Sequence, residues 1–205
     1  MTDQFFDRAQ ADLWKLIAER AAPGANLDEI DAQIWETYGG EAAIMFTDLA
    51  GFTRRSAELG ITHFLQVIFE SQQLLRPLVE EHSGIIFEVV GDSMLLWFPT
   101  VQNAIECSVA MHEACRQHNA GRETSHQVLL CAGIGFGRIL RVGNSRLAGE
   151  EVNVASKLGE DIAEAYETLI SDSARKAAGE MAGLEFIVTG EQQPGSPEVY
   201  RVTVK

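Results

Sequence analysis

Cationic side chains are scarce in this sequence. Its 205 residues carry 16 Lys and Arg against 30 Asp and Glu, a formal charge of −14. Such a balance excludes a surface built for nucleic-acid backbones, which needs clustered cations. It still permits an anionic nucleotide as substrate, because metal ions and a few local cations reverse the field inside one cleft. Cysteine is equally sparse. Cys107, Cys115 and Cys131 show no CxxC spacing, which points to buried free thiols in a reducing compartment rather than a disulfide framework. The five histidines are scattered with no HExxH, which argues against a zinc site. No apolar run approaches the roughly 18 residues of a membrane span, and the opening MTDQFFDRAQ lacks the basic-then-apolar pattern of a secretion signal. The expectation is a cytoplasmic chain with no membrane segment. With 46% hydrophobic and 22% charged residues, it has the composition of one globular domain with a short extension.

What is present centres on residues 42–98. This stretch opens with AAIMFTDLAGFT and closes with IIFEVVGDSMLLWF. An apolar run breaks at a carboxylate at each end, Asp48 in the first and Asp92 in the second. Two carboxylates at the ends of adjacent strands suit a pair of divalent cations. Gly51, Phe52 and Thr53 follow Asp48 at once and read as the opening of a helix, whose free backbone N–H groups suit phosphate oxygens. The plainer reading is an Asp capping a helix and an Asp in a hairpin turn, both common places for that residue.

Around this stretch the chain reads as alternating helices and strands. Helices are expected over 3–22 and from Asn26 or Asp28 to Trp35, ended by Tyr38-Gly39-Gly40. Residues 42–47 form an apolar strand. In 61–81 the apolar positions Phe64, Leu65, Ile68, Phe69, Leu74, Leu75 and Leu78 recur at helical spacing. Two strands, 85–90 and 94–98, flank Gly91-Asp92 as a hairpin. A helix over 101–118 follows, then strands over 127–136 and 138–142 and a helix over 151–165. A short strand, 168–170, leads to a helix capped by Ser171, and a last hairpin pairs 184–188 with 198–204. The order β-α-β-β-α-β with additions is a ferredoxin-like α+β pattern. It divides the chain into an N-terminal helical extension, 1–40, and a domain over 41–205.

Four segments carry a family resemblance: FTDLAGFT at 46–53, VVGDSML at 89–95, GIGFGRIL at 133–140 and GEEVNVASKL at 149–158. In this order and spacing the sequence resembles the class III nucleotidyl cyclase catalytic domain, of the bacterial stand-alone adenylate/guanylate cyclase type. The resemblance covers about 42–204. It implies a ferredoxin-like core, a head-to-tail homodimer with two sites at its interface, and two divalent metal ions, Mg²⁺ or Mn²⁺. It implies conversion of a nucleoside triphosphate, ATP or GTP, to a 3′,5′-cyclic nucleotide and pyrophosphate. Asp48 and Asp92, 44 residues apart, fall at the two metal-carboxylate positions, and Leu49 would lend a backbone carbonyl. Gly51, Phe52 and Thr53 would hold phosphates.

The same resemblance places Asn153 where the family orients the ribose and Lys157 where it usually has arginine against the phosphate. Lysine keeps the charge and loses the bidentate fork. Glu88 stands where adenylate cyclases carry lysine and guanylate cyclases glutamate. A carboxylate accepts from guanine N1–H and N2–H₂ and opposes the acceptor N1 of adenine. Arg146 occupies the second base-reading position with neither expected residue. It could pair with Glu88 or lie on a solvated loop. Lys157 could instead pair with Glu160 or Asp161, and Asn153 could be an ordinary polar residue of a first helical turn. The segment FIVTGEQQPGSPEVY lacks the lysine that often precedes the last hairpin; Arg54 and Arg55, just past the phosphate loop, could compensate, though the plainer reading makes them exposed helix residues. A second reading is therefore a weak or inactive cyclase-homology domain that binds nucleotide or serves as a dimeric signalling scaffold.

Overall fold

The architecture was analysed in a computed structural model, which describes residues 8–51, 60–144 and 146–205. Helices α1 (Arg8–Arg20) and α2 (Leu27–Tyr38) lead into β1 (Gly39–Leu49). Helix α3 (Ile61–Glu81), the hairpin β2 (Ile85–Val90) and β3 (Ser93–Phe98), and helix α4 (Val101–Asn119) follow. Next come β4 (Leu130–Val142), the short β5 (Arg146–Ala148) and helix α5 (Glu150–Ser156), which runs on into a π-helical turn over Lys157–Ile162. The chain closes with β6 (Thr168–Ser171), α6 (Asp172–Ala178), β7 (Leu184–Val188) and β8 (Val199–Val204).

All eight strands join one sheet in the order β2-β3-β1-β4-β6-β8-β7, with β5 paired to the end of β4. The first four positions are antiparallel neighbours and reproduce the expected βαββαβ core. Strand β6 then adds parallel to β4, and the β7–β8 hairpin extends the sheet beyond it.

Strand alternation sorts β1 onto two faces. Ala43, Met45 and Leu49 enter the main core with Leu75 and Val79 of α3 and Ala104, Ile105 and Met111 of α4. Ala42 and Ile44, with Phe46, face the opposite side with Leu95, Trp97, Ile139 and Ala155. Asp48 continues that second set. Helices α1 and α2 lie away from both, packing Leu13 and Ile34 on Val142 at the end of β4. Polar side chains start three helices. Asn26, Thr100 and Ser171 accept from the N–H of Glu29, Asn103 and Ala174, which satisfies otherwise unpaired donors.

The structure departs from the sequence reading in three places. The strands expected over 127–136 and 138–142 form one strand, because Gly137 pairs in register with Ala42 and no break occurs there. The helix expected over 151–165 is seven α-helical residues followed by the π-turn. Helix α3 buries Phe64, Val67, Ile68, Ser71, Leu75 and Val79, whereas Leu65 and Phe69 are 55% and 62% exposed. Those two stand 3–4 residues apart on the outer side, so apolar spacing alone overestimated the packed face. The three cysteines are buried and free, and burial pushes their thiols up to about 12. Among the described residues no helix is long and apolar enough to cross a membrane.

Candidate active site

The β2–β3 turn brings Asp92 beside the end of β1. Gly91 takes φ +59° there, a left-handed turn conformation that glycine adopts without Cβ strain. Ser93, the next residue after Asp92, donates its hydroxyl to Asp48 Oδ1 at 2.8 Å. The Asp92 carboxyl is pushed up to about 7, first by burial and then by the charge and close approach of Asp48. Its own backbone N–H and that of Leu49 pull the other way without offsetting this. Asp92 Oδ2 is buried with no hydrogen-bond partner. Two half-buried carboxylates this close cannot both be ionised comfortably without a proton or a cation between them.

This donor set fits a divalent cation. It consists of hard oxygens, and one of them is an orphaned buried atom. Among the described residues no cluster of three His, Cys, Asp or Glu forms. Further ligands would have to come from phosphates, water or backbone carbonyls. Leu49, expected to contribute its carbonyl, is buried and turns its N–H toward Asp92. Gly51 is exposed with φ +75°, and nothing lies within 4 Å of where its Cβ would be, so its backbone is open to a ligand. Phe52 and Thr53, and the neighbouring Arg54 and Arg55, lie outside the described residues.

The remaining sequence-predicted residues sit elsewhere. Glu88 is exposed on β2 and pairs with Leu95, which pairs with Phe46. A register shift between Ile86 and Glu88 lets Phe87 join Trp97 and Leu95 while Glu88 takes the same sheet face. Glu88 is two strands and two residues from Asp48, on the order of 12 Å by strand spacing. Asn153 and Lys157, four residues apart on α5 and its continuation, are both exposed. The opposite side of that segment carries Ala155, Leu158 and Gly159, all buried against the sheet. Lys157 Nζ lies 3.5 Å from Asp161, one of the two partners expected for a solvated lysine. Arg146 is exposed on β5 with its guanidinium 5.8 Å from the centre of the Trp14 ring. Among the described residues no ion pair joins it to Glu88.

Glycines set α5 on the sheet at backbone contact. A Cβ on Gly133 would come 2.3 Å from the Ala155 carbonyl, and one on Gly159 would come 2.6 Å from the Phe46 carbonyl. These are the glycines of GIGFG and SKLG, so their part in the motifs is to seat the segment carrying Asn153 and Lys157. Sequence reasoning missed Glu151, two positions before Asn153. Its carboxyl lies half-buried against Gly135 and Gly137 and is pushed up to about 7 by burial. The acidic Gly-Glu-Glu opening of the helix was the available signal.

The βαββαβ sheet has the fold of solved adenylyl and guanylyl cyclase catalytic domains, and on it two carboxylates face each other at the β1 end and the β2–β3 turn, with a glycine-seated helix packed on the sheet. By fold and by sequence likeness the chain is similar to such domains. It is 31% identical over 150 residues, 73% of its length, to "Putative adenylate cyclase 3" of Rhizobium meliloti. It spans a quarter of the length of that curated relative. Among solved structures it resembles the adenylyl cyclase CyaB from P. aeruginosa, with TM-score 0.68 and 21% identity over 82% of this chain and 95% of that one. It also resembles an adenylate/guanylate cyclase/hydrolase from Silicibacter pomeroyi, with TM-score 0.67 and 24% identity over 80% and 95% of the two chains. No family model matches the sequence.

Proposed function

We propose that the domain spanning 41–205 converts a nucleoside triphosphate to its 3′,5′-cyclic monophosphate and pyrophosphate, with residues 1–40 as an accessory helical extension. The observation that carries this reading is the Asp48–Asp92 pair, with its orphaned Asp92 oxygen. In the reaction the ribose 3′-hydroxyl gives up its proton and its oxygen forms a bond to the α-phosphorus. The bond from that phosphorus to the pyrophosphate breaks.

Asp48 and Asp92 would hold two Mg²⁺ or Mn²⁺ ions, which when bound supply charge stabilisation for the attacking and leaving oxygens. Asp48 is fixed for that role by the Ser93 hydroxyl. The open backbone at Gly51, with Phe52 and Thr53 beyond it, would face phosphate oxygens. Asn153 would orient the ribose, and Lys157 would place its charge on the phosphate, letting go of Asp161 to do so. Glu88 would accept from the guanine edge, which favours GTP over ATP, and Arg146 would stand at the rim of the base site.

Asn153 and Lys157 are exposed on the side of α5 away from the sheet, which supports a site in which one copy supplies the carboxylates and a second copy supplies these groups. Such a site would be completed in a homodimer. A groove of about 670 Å³ lined by Gln102, Val109, Met181 and Leu184 lies along α4 and contains none of the proposed site residues. The working compartment is the cytoplasm, where the nucleotide is found.

The test is incubation with ATP, GTP, CTP and UTP in Mn²⁺ and detection of cyclic product by mass spectrometry. Cyclic GMP is the main expected product. Absence of cyclic product from all four, while the metal–nucleotide still binds, would replace this reading with the second one, a nucleotide-binding dimer scaffold. The Lys157–Asp161 contact, which leaves the phosphate clamp thin, favours that alternative.

A further inference from the structure

Helix α5 begins without a capping side chain: Gly149 stands at its N-cap and makes no side-chain hydrogen bond. Only seven residues are α-helical before the π-turn, so tertiary contacts matter for its first turn. The Glu151 side chain supplies them. A Cβ on Gly135 would meet Glu151 Oε2 at 2.6 Å, and one on Gly137 would meet Oε1 at 2.9 Å. The carboxyl therefore lies flat across two glycines of β4. On its other side Ser173 of α6 donates to Oε1 at 3.4 Å. The Ser173 and Ser171 hydroxyls are 2.8 Å apart, and Ser171 accepts the Ala174 N–H at 3.1 Å. A hydroxyl chain thus runs from the α6 cap to the first turn of α5.

We propose that Glu151 is a positioning residue, a carboxyl strut that seats α5 between β4 and the α6 cap and thereby fixes the direction of Asn153 and Lys157. Its effect on turnover rests on the cyclase reading; its effect on the helix does not. The carboxyl is not placed there for ion pairing. Glu150, on its own helix, raises its pKa, and the Phe136 N–H and Ser173 hydroxyl lower it by less than burial raises it. Oε2 is left without a partner. What an uncharged group of the same shape keeps is the contact with both glycines and an acceptor oxygen for the Ser173 hydroxyl and the Phe136 N–H. Shape and one acceptor are therefore the functional content, and glutamine retains both.

The test compares Glu151→Ala, Glu151→Gln and Ser173→Ala by amide hydrogen exchange and by steady-state kinetics. In Glu151→Ala, exchange at 150–158 should rise at least tenfold while the α4 amides stay unchanged. Its kcat should fall at least tenfold with KM changed less than threefold, since misplacing a group by an ångström costs rate more than binding. Glu151→Gln should restore both, and Ser173→Ala should fall between. Unchanged exchange at 150–158 in Glu151→Ala, or failure of glutamine to restore it, would overturn the proposal. If the unaltered protein makes no cyclic nucleotide, the cyclase reading fails, and the exchange data still decide the strut.

Discussion

The turn joining β2 to β3 and the helix α5 carry the two halves of the proposed chemistry, and they are built in opposite ways. At the turn, Asp48 and Asp92 face each other within one protomer, half-buried, with Ser93 tying one of them down. Burial, and then the charge of Asp48, lifts Asp92 far from its ordinary range. On α5, Asn153 and Lys157 stand in solvent, and Lys157 faces an ordinary i,i+4 partner. One half is preorganised and electrostatically uncomfortable; the other is relaxed and points outward. The contrast is what a site shared between copies requires. On the proposed reading the strained half would take cations, and the exposed half would meet the nucleotide of a second copy.

Removing a carboxylate strikes the preorganised half. Asp48→Ala should lower cyclic-nucleotide formation by at least ~100-fold, because charge stabilisation at both reacting oxygens is lost. Undiminished turnover, followed by mass spectrometry, would show that the pair is not the reaction centre. Asn153→Ala should lower turnover as well, by damaging only the other half.

Mixing those two inactive variants tests whether the halves belong to different chains. A heterodimer of Asp48→Ala and Asn153→Ala contains one site with both defects and one with neither. Random mixing should therefore recover about a quarter of the normal rate. If both halves of a site came from one chain, no mixture would recover activity.

The proposed base reader, Glu88, is exposed on β2. Glu88→Lys should shift the GTP-to-ATP ratio of kcat/KM about tenfold toward ATP, since a carboxylate acceptor becomes a donor at the base edge. An unchanged ratio would remove Glu88 from base recognition.

The two regions also differ in how far the sequence disclosed them. Asp48 and Asp92 stand out because each interrupts an apolar run, and strand periodicity is enough to put them at neighbouring strand ends. The order of strands and helices was legible for the same reason, down to Ser171 as a helix cap. The α5 half was not. Glu151 acquires its role only because Gly135, Gly137 and Ser173 converge on it from two other elements. The π-turn arises where Gly159 meets the Phe46 carbonyl, a contact across the sheet. Leu65 and Phe69 look like core residues in the sequence because local spacing cannot tell which side of an apolar helix finds a partner. Arg146 meets Trp14 through the packing of the extension helices, a contact more than a hundred residues apart in the chain.

The strain at the β2–β3 turn has a smaller consequence that needs no substrate. Asp92 titrates near 7 in the folded protein, against an ordinary value of 3.8. A carboxyl whose pKa is raised by folding binds its proton more tightly in the folded state. Its contribution is favourable below about pH 4 and is lost progressively as pH rises through 7. The group is only half-buried, so solvent screening reduces the cost below what full enclosure would give. In EDTA, urea denaturation should therefore show Asp92→Asn more stable than the unaltered protein at pH 8, and by a smaller margin at pH 5. Mg²⁺ should stabilise the unaltered protein at pH 8 and leave Asp92→Asn nearly unchanged, because the cation takes the place of the missing proton. Equal stability of the two proteins at both pH values would mean that the carboxylates are relaxed without a cation. The preorganised half would then be no more strained than the exposed one.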